Sequence, residues 1–478
     1  MAYIGRDTDK ISNVEVLDNI TFDGSSSYTL QKNSVNFTPS SANTILLSID
    51  GVVQAGNFTV SGSTIDFGTA VAGTSTCDFV LHYGVGLITS VSDGTVTTAK
   101  LADSSVTAAK ITDATITAAK LASGTVQNQS AFKNIIINGD MSIAQRGTSE
   151  SSYTSDTYST VDRMKTRVGS LGTWTISQST DVPSGQGFAK SLKWDCTTAD
   201  ASPSASDFLF LEHKIEGQNL QYLKYGTSSA ESTTLSFWVK SNKTGTGQVN
   251  LRDYDNDKLL GGTYTISSAD TWEKKTITYI GNTSDTLDND NAVSLALEFW
   301  LDSGSTYTGG TAPTAWEARD QTDRNASGTL SLGDSTSNEW YITGVQLEAG
   351  TSASDFEFLP HDVNLQRCLR YYYHHAEKTG SQNPQIGMGT YTTSTRIDII
   401  VFYPVTMRTD PSLISTSSEV YYIYGQADYF SNISGSANST ENCALLHSIN
   451  DGASGTAGQA GVVSINGSGG IIAFNSEL

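Results

Sequence analysis

The sequence predicts a mainly β protein of several domains that assembles into an elongated oligomer. Short runs rich in Val, Ile, Thr, Tyr and Phe alternate with clusters of Gly, Ser and Asn, a pattern typical of strands joined by turns. The length of 478 residues is enough for three or four domains. A ten-residue unit also repeats three times between positions 93 and 122, and a unit this small needs neighbours to pack against.

Residues 1–88 are predicted to form a small N-terminal β-module. Segments such as TILLSIDGVVQ and DFVLHYG alternate apolar and polar residues with the spacing of strands. Asp50 and Gly51 lie between two β-rich runs. This pair predicts a tight hairpin turn, because Asp and Gly tolerate the backbone conformation that such turns require.

Residues 89–131 contain the repeat, which has the sequence DGTVTTAKLA, DSSVTAAKIT and DATITAAKLA. Apolar residues recur every five positions, which is the period of neither a helix nor a strand. Because one chain cannot bury so thin a stripe, we predict that identical chains pack around a symmetry axis to form a short stalk. The predicted contact residues of the stalk are Val96, Leu101, Val106, Ile111, Ile116, Leu121 and Val126.

Residues 132–360 are predicted to form a β-sandwich. All seven tryptophans of the chain lie in this stretch, and tryptophan is both a filler of large cores and a platform for flat ligands. The segments TLSFWVKS, TWEKKTITYI, VSLALEFWLD and EWYITGVQLE are the clearest strands. Turn clusters separate these strands at intervals typical of sandwiches.

Residues 361–375 are predicted to be a helical connector, since Leu365, Leu369 and Tyr372 form a helical stripe. Residues 376–478 return to β structure and are predicted to form a C-terminal head that ends in a hairpin, GVVSINGSGGIIAF. The head is rich in Tyr, Ser, Asn and Gly, a composition typical of binding loops. Its candidate ligand-binding residues are Tyr421, Tyr422 and Tyr424.

Charge and composition exclude several classes of function. The net charge of −21 argues against nucleic acid as a partner, because phosphate binding needs clustered Lys and Arg. No apolar run approaches the roughly 20 residues of a membrane span, so we expect no membrane insertion. The four cysteines are scattered along the chain, which predicts free thiols in a protein made in a reducing cytosol.

Four segments, in this order along the chain, resemble parts of a bacteriophage tail fibre or receptor-binding protein. TILLSIDGVVQAGNFTVSGSTIDF resembles the modules near the tail-attached end of such fibres, and TVTTAKLADSSVTAAKI resembles repeats of fibre shafts. FKNIIINGDMSIAQRG, followed by the Trp-rich stretch, resembles a carbohydrate-binding-like jelly roll. Residues 342–373, followed by FYPVTMRTDPSL, resemble the run that leads into a C-terminal head.

The resemblance implies a homotrimeric fibre of the virion, made in the cytoplasm of the bacterial host. The N-terminal module would attach to the phage tail or to an adaptor protein, and the distal domains would bind a host surface glycan or protein. We therefore predict a structural adhesin that is not an enzyme. Two alternatives stay open: a fibre with polysaccharide depolymerase activity, which would use a pair of carboxylates, and a decoration fibre attached to the capsid.

Trp238 and Trp300 are the first candidates for ligand binding. Each alternates with aliphatic residues along its strand, so each is predicted to point away from the core. Two tryptophans on the outer face of a sheet would form a platform on which a sugar stacks. The alternative is that a loop or another subunit covers that face.

Oxygen-rich side chains suggest two places for a structural calcium, although we expect no other cofactor. The first is formed by Asp253, Asp255 and Asp257, and the second by Asn138 and Asp140. The first run is not an EF-hand, because it lacks the required Gly and Glu. A solvated acidic turn is the alternative. The pair His374-His375 is predicted to be a polar helix end, since helical neighbours cannot both bind one metal ion easily.

Overall fold

The computed structural model of the chain describes residues 14–83, 132–416, 421–423, 426–430, 433–435, 438–448 and 454–478. The chain divides into two compact units, residues 1–116 and 117–478. The described parts of both units are mainly β, as predicted, and are organised in several sheets. None of the helices in these parts has the length and apolar character needed to cross a membrane.

The first unit contains a four-stranded sheet with the order β1-β9-β5-β6, a three-stranded sheet with the order β2-β8-β7, and the pair β3-β4. The strands are β1 Val14–Leu17, β2 Ser27–Thr29, β3 Gln31–Lys32, β4 Val35–Asn36, β5 Ile45–Ile49, β6 Val52–Gln54, β7 Thr59–Ser61, β8 Thr64–Asp66 and β9 Cys77–Tyr83. Leu30, Leu47, Ile65 and Val80 are fully buried in one apolar core between these sheets.

The predicted hairpin turn of this unit is confirmed. β5 and β6 pair so that Ile49 stands opposite Val52, which leaves Asp50 and Gly51 as a two-residue loop. Both loop residues have positive φ, 50° at Asp50 and 76° at Gly51. This is the conformation of the turns whose twist matches that of paired strands.

Residues 149–349 form a sandwich of two antiparallel sheets. The six-stranded sheet has the order β10-β13-β14-β22-β16-β19, and the seven-stranded sheet has the order β11-β12-β15-β20-β17-β18-β21. The strands are β10 Ser149–Tyr153, β11 Asp156–Tyr158, β12 Lys165–Gly169, β13 Thr173–Ser179, β14 Ser191–Thr198, β15 Phe208–Glu216, β16 Thr233–Ser241, β17 Gly245–Asp253, β18 Lys258–Ile266, β19 Glu273–Tyr279, β20 Val293–Ser303, β21 Glu317–Ala318 and β22 Glu339–Ala349.

The two sheets enclose one large core. Phe237 of β16 meets Phe299 of β20 edge to face across the sandwich, with 5.1 Å between ring centroids. Trp174, Trp194 and Trp340 also lie in this core and are fully buried. Strands are present at all four segments that the sequence indicated most clearly, which confirms the predicted sandwich.

A helix and two further sheets follow the sandwich. The helix α1 spans His361–Leu369. The head strands are β23 Tyr372–Glu377, β24 Gln385–Thr393, β25 Arg396–Phe402, β26 Ser412–Ser415, β27 Tyr421–Ile423, β28 Gln426–Phe430, β29 Ile433–Gly435, β30 Cys443–Ser448, β31 Ala460–Ile465 and β32 Ile471–Asn475. They form a three-stranded sheet, β23-β32-β26, and a seven-stranded sheet, β28-β27-β31-β24-β25-β30-β29.

Two predictions for this region were wrong. The helix ends at Leu369 rather than at residue 375, so Tyr372, His374 and His375 belong to β23. His375 is not at a polar helix end, because its ring bonds the Tyr373 hydroxyl at 2.8 Å and the Ile386 carbonyl at 2.6 Å.

The predicted terminal hairpin also does not form. β31 pairs with β24 and β27, whereas β32 pairs with β23 and β26 in the other sheet. The turn between β31 and β32 therefore carries the chain from one sheet to the other.

Ion pairs join the head to the sandwich. Arg370, directly after α1, makes two hydrogen bonds of 2.8 Å to the carboxylate of Glu216 in β15. Near the end of the chain, Glu477 pairs with Arg163 and with Arg146 of the sandwich. The side chain of Arg163 is 0% exposed and that of Glu477 is 4% exposed. Arg408 of the head also exchanges hydrogen bonds of 2.7 and 3.1 Å with Asn291, just before β20. The head is thus fixed to the sandwich at three separate points of the chain.

The predicted stalk, with Val96, Leu101, Val106, Ile111, Ile116, Leu121 and Val126, lies outside the described residues. Its packing and the trimer remain predictions.

Candidate functional site

Trp238 and Trp300 do not form a shared platform, which corrects the sequence-based hypothesis. Each side chain points away from the core, as predicted, because Phe237 and Phe299 beside them point into it. Trp238, however, belongs to the six-stranded sheet and Trp300 to the seven-stranded sheet. The two tryptophans therefore lie on opposite outer faces of the sandwich.

A loop covers Trp300. Its ring stacks on Phe210 with 4.5 Å between centroids, and Tyr307 lies 5.0 Å away. The guanidinium of Arg324 lies 4.7 Å from the ring centroid, and only 1% of Trp300 is exposed. For Trp300, the alternative hypothesis is therefore correct: a neighbouring loop covers its face.

Trp238 has other aromatic neighbours on its own face. It stands opposite Lys274 of β19 and Thr343 of β22. Two positions further along on the same face, the same registers reach Trp272, just before β19, and Tyr341 of β22. Residues that are diagonal across neighbouring strands lie roughly 7–8 Å apart, within reach of aromatic side chains. We call Trp238, Trp272 and Tyr341 the aromatic strip.

The strip lies near one edge of its sheet, since β19 is the terminal strand. Trp272 and Tyr341 contact each other edge to face, with centroids 6.2 Å apart. Trp238 and Trp272 are each partly exposed, whereas Tyr341 is 6% exposed. The two tryptophans are therefore the accessible members of the strip.

Two lysines and three carboxylates surround the strip. Lys240 lies 4.4 Å from the Tyr341 centroid and forms an ion pair with Asp181. Asp181 also accepts a hydrogen bond of 2.9 Å from the indole Nε1 of Trp272. Lys193 lies 5.5 Å from the Tyr341 centroid and 2.6 Å from the carboxylate of Glu339. Lys193 also lies 3.5 Å from the carboxylate of Asp195. Each lysine thus holds at least one carboxylate beside an aromatic ring.

These contacts fix the charges of the strip. Burial would raise the pKa of Glu339, but hydrogen bonds from Lys193 and Tyr341 outweigh burial and lower it. Burial also opposes ionisation of Asp181, yet Lys240 and Trp272 lower its pKa in the same way. Burial and the acceptor Glu339 raise the pKa of Tyr341 to about 12. At neutral pH Asp181 and Glu339 are therefore ionised, and Tyr341 is a neutral phenol.

This arrangement can bind a ligand with one apolar face and hydroxyl groups at its edge. Aromatic rings supply flat contact area, while carboxylates accept and lysines donate hydrogen bonds. Sequence reasoning missed Trp272 and Tyr341 as partners of Trp238. The available signal was the spacing of Trp272 and Lys274, which places both on one face of a strand. Glu273 and Lys275 on the opposite face are also charged. This strand therefore lacks the alternation of apolar and polar residues that distinguishes an inner from an outer face.

A carboxylate pair of the kind that cleaves glycosidic bonds lies on the other sheet. Glu212 and Glu298 stand directly opposite each other on β15 and β20, where side chains are roughly 5 Å apart. Both are fully buried. Glu212 accepts a hydrogen bond from Arg167 at 3.1 Å, and Arg324 bonds Glu298 at 2.9 Å. Burial opposes ionisation of Glu298, yet Arg324 and Arg252 lower its pKa, so it does not hold a proton for general-acid catalysis at neutral pH.

The three carboxylates proposed for calcium do not converge. Asp253 accepts hydrogen bonds from the backbone N–H and side-chain amide of Asn256, at 3.0 and 2.9 Å. Asp255 accepts a 2.9 Å bond from the backbone N–H of Asp288. Asp257 pairs with Arg319 at 2.7 Å. A calcium ion here would have to displace these donors.

Asn138 and Asp140 are also engaged by the protein. The Oδ1 of Asn138 accepts a 2.9 Å bond from the backbone N–H of Ile143. The Oδ1 of Asp140 accepts bonds from the Ser142 hydroxyl and the Asn364 amide, each at 3.1 Å. Within the described part of the chain, no group of three or more His, Cys, Asp or Glu side chains is arranged to hold a metal ion.

The tyrosines proposed for the head cannot be placed. Tyr421 and Tyr422 lie in β27, but their side chains are outside the described part of the structure, as is the whole of Tyr424. Their role in ligand binding stays a prediction.

No family model and no curated protein matches this chain. Among solved structures, the enzymatically active domain of tailspike protein 4 of bacteriophage CBA120 is 11% identical, covers 46% of this chain and has a TM-score of 0.25. The chain spans 22% of the length of that tailspike structure.

Carbohydrate-binding modules also appear among the similar structures. The tandem CBM22-1-CBM22-2 domain of Paenibacillus barcinonensis Xyn10C is 13% identical, with coverage of 73% of this chain and 92% of that chain and a TM-score of 0.22. The family 11 carbohydrate-binding module of Clostridium thermocellum Lic26A-Cel5E is 11% identical, with coverage of 42% and 96% and a TM-score of 0.20. TM-scores this low support no conclusion about the fold or function of this chain.

Proposed function

We propose that the protein is a structural adhesin of a phage virion, a homotrimeric tail fibre that binds a host cell-surface glycan through its sandwich. The aromatic strip is the observation that carries the glycan proposal. Trp238 and Trp272 offer partly exposed aromatic surface. The ionised carboxylates of Asp181 and Glu339 accept hydrogen bonds from Trp272 and Tyr341, respectively. Sugars present apolar ring faces for such aromatic groups and hydroxyl groups for such carboxylates.

The virion part of the proposal is supported by the sequence resemblance alone. In this proposal, the N-terminal module attaches to the phage tail or to an adaptor protein, and the repeat holds three chains together. Three copies of one weak glycan site would then bind a cell surface together, which raises the overall affinity without any new contact.

Binding of the full chain to a printed array of bacterial surface polysaccharides tests the glycan proposal. Replacing Trp272 with Ala should cost on the order of 2 kcal/mol of binding free energy, about thirty-fold in Kd, because a stacking tryptophan is a typical binding hot spot. The control is Tyr222→Ala, since Tyr222 is 49% exposed in a short 3₁₀ helix, Gln221–Leu223, and belongs to neither sheet.

Two results would overturn the proposal: no polysaccharide binds the wild-type chain, or Trp272→Ala binds as tightly as Tyr222→Ala. Truncation is a poorer test of which domain binds. Deleting residues 376–478 would also remove Glu477 and leave the buried guanidinium of Arg163 without its partner. A loss of host attachment in this deletion variant would then reflect damage to the sandwich as well as removal of the head.

A further inference from the structure

On the outward side of the seven-stranded head sheet, one row of side chains is apolar across the neighbouring strands β31, β24, β25 and β30. Met388 of β24 stands opposite Val462 of β31, and Ile400 of β25 stands opposite Leu445 of β30. The register of β24 with β25 brings Met388 opposite Ile400, so the four side chains form one row. Phe402 follows two residues further along β25. We call these five residues the head face.

The head face is strongly exposed. Phe402 is 74% exposed, Met388 63% and Ile400 53%. In the described parts of the chain, Phe402 is the most exposed of the large apolar side chains. Single exposed apolar residues are normal on a protein surface, but a contiguous group of this kind marks an interaction site.

The sequence of β25 indicates that both of its sides are covered in the functional protein. Ile397, Ile399 and Val401 point inward and are buried in the head core. Ile400 and Phe402 point outward. A strand with one solvated side alternates apolar and polar residues, whereas a strand covered on both sides is apolar throughout. The second half of β25 has the second pattern.

We propose that the head face is the surface on which a second copy of this chain packs. The proposal rests on the fibre assembly proposed above and names a contact surface for it. Each chain carries a net charge of −21, so copies repel one another over most of their surfaces. The five residues of the head face carry no charge, and the nearby charges Arg396 and Asp398 pair with each other at 2.6 Å. Copies can therefore meet here at little electrostatic cost.

The area of the sheet is close to what such a contact requires. Strands lie about 4.8 Å apart and rise about 3.3 Å per residue. Seven strands of about six residues therefore cover roughly 700 Å², of which the four central strands supply about 400 Å². A standard stable interface buries about 800 Å² on each partner. The head sheet approaches this value, with the head face at its apolar centre.

Cysteine labelling in the full chain tests whether the head face is covered. Ile400→Cys is made in a Cys443→Ser background, because Cys443 stands opposite Phe402. A maleimide is added at a protein concentration where light scattering gives a multiple of the chain mass. The matched control is Ile280→Cys in the same background, since Ile280 is 50% exposed in the sandwich. Ile400→Cys should react about ten-fold or more slowly than the control, because only its dissociated fraction reacts.

Equal labelling of the two cysteines in a multimer would overturn the inference, as would a monomeric mass for the wild-type chain. A second variant, Phe402→Asp, should raise the dissociation constant of the assembly about ten-fold or more in sedimentation experiments with an unchanged circular dichroism spectrum. An unchanged dissociation constant would also overturn the inference. Array binding reports separately on the aromatic strip, so failure of the glycan proposal is distinguishable from failure here.

Discussion

Replacing Glu477 with Gln should loosen the joint between the head and the sandwich. The carboxylate of Glu477 pairs with two guanidinium groups, those of Arg163 and Arg146. The substitution keeps the shape of the side chain but removes its charge. One of the two oxygens becomes an amide NH₂, which faces a guanidinium N–H with no acceptor between them. The buried charge of Arg163 then has no counter-charge.

The expected loss follows from the burial of the pair. Removing one partner of a buried ion pair costs about 3–5 kcal/mol of unfolding free energy, because the other charge stays buried. Arg163 keeps a 2.6 Å hydrogen bond to the Lys214 carbonyl, and its guanidinium lies 3.6 Å from the Tyr371 ring centroid. These remaining contacts place the expected loss near the lower end, about 3 kcal/mol.

Urea denaturation with two probes measures the effect. All seven tryptophans lie in residues 132–360, so their fluorescence follows the sandwich, while far-ultraviolet circular dichroism follows all strands. The strands of the first unit add their own change, which should be the same in wild type and variant. The rest of the wild-type circular dichroism transition should coincide with the fluorescence transition, because the head is fixed to the sandwich. In Glu477→Gln the circular dichroism transition should begin at lower urea. Glu441→Gln, at an exposed position of the head, is the control.

The reasoning is refuted if Glu477→Gln loses less than about 1 kcal/mol, the value typical of an exposed ion pair. A double-mutant cycle sharpens the test. Arg163→Met and Glu477→Gln together should cost less than the sum of the two single changes, because the double variant leaves no unpaired charge at Arg163.

Three further predictions concern other parts of the chain. Light scattering of the purified full chain should give a mass near three times 50.9 kDa, and a stable monomer would contradict the stalk and the fibre. Gly51→Ala should destabilise the first unit by about 1–2 kcal/mol in thermal melting, because Gly51 has a φ of 76° that L-residues adopt at a cost; Gly309→Ala, with open space and no left-handed φ, should cost little. Burial and the nearby charges of Arg163 and Arg367 hold the pKa of His213 well below its ordinary value, so native His213 stays neutral while the unfolded chain gains a proton below about pH 6.5. Stability should therefore fall as pH drops below 6.5, and His213→Gln should flatten this fall in denaturation experiments at pH 6.5 and 5; an unchanged slope would contradict it.

Local signals in the sequence predicted much of the fold. Asp50 and Gly51 favour their turn locally, since both accept positive φ, and hydrogen bonds with Thr76 and Asp78 then hold it in place. The strands around Phe237 and Phe299 follow from alternation with period two. In each case the physical cause lies within a few residues of the effect.

Errors arose where distant parts of the chain decide the outcome. Trp238 and Trp300 have similar local patterns, and only the strand order places them in opposite sheets. The segment with β31 and β32 has the composition of a hairpin, but each strand finds better partners elsewhere. The helix ends before Tyr372 because that residue pairs with Asn475, near the opposite end of the head sequence. Period and composition contain no information about such pairings.

The separate attachments of the head to the sandwich have a mechanical consequence. A domain tethered by one peptide segment can swivel and gives way first at its linker when pulled. Here the chain enters the head beside the Arg370–Glu216 pair and returns to the sandwich at the Arg163–Glu477 pair. Tension on the head therefore loads both ion pairs, together with the Arg408–Asn291 hydrogen bonds, at the same time. A ligand held by the head would transmit force to the sandwich as though head and sandwich were one rigid body.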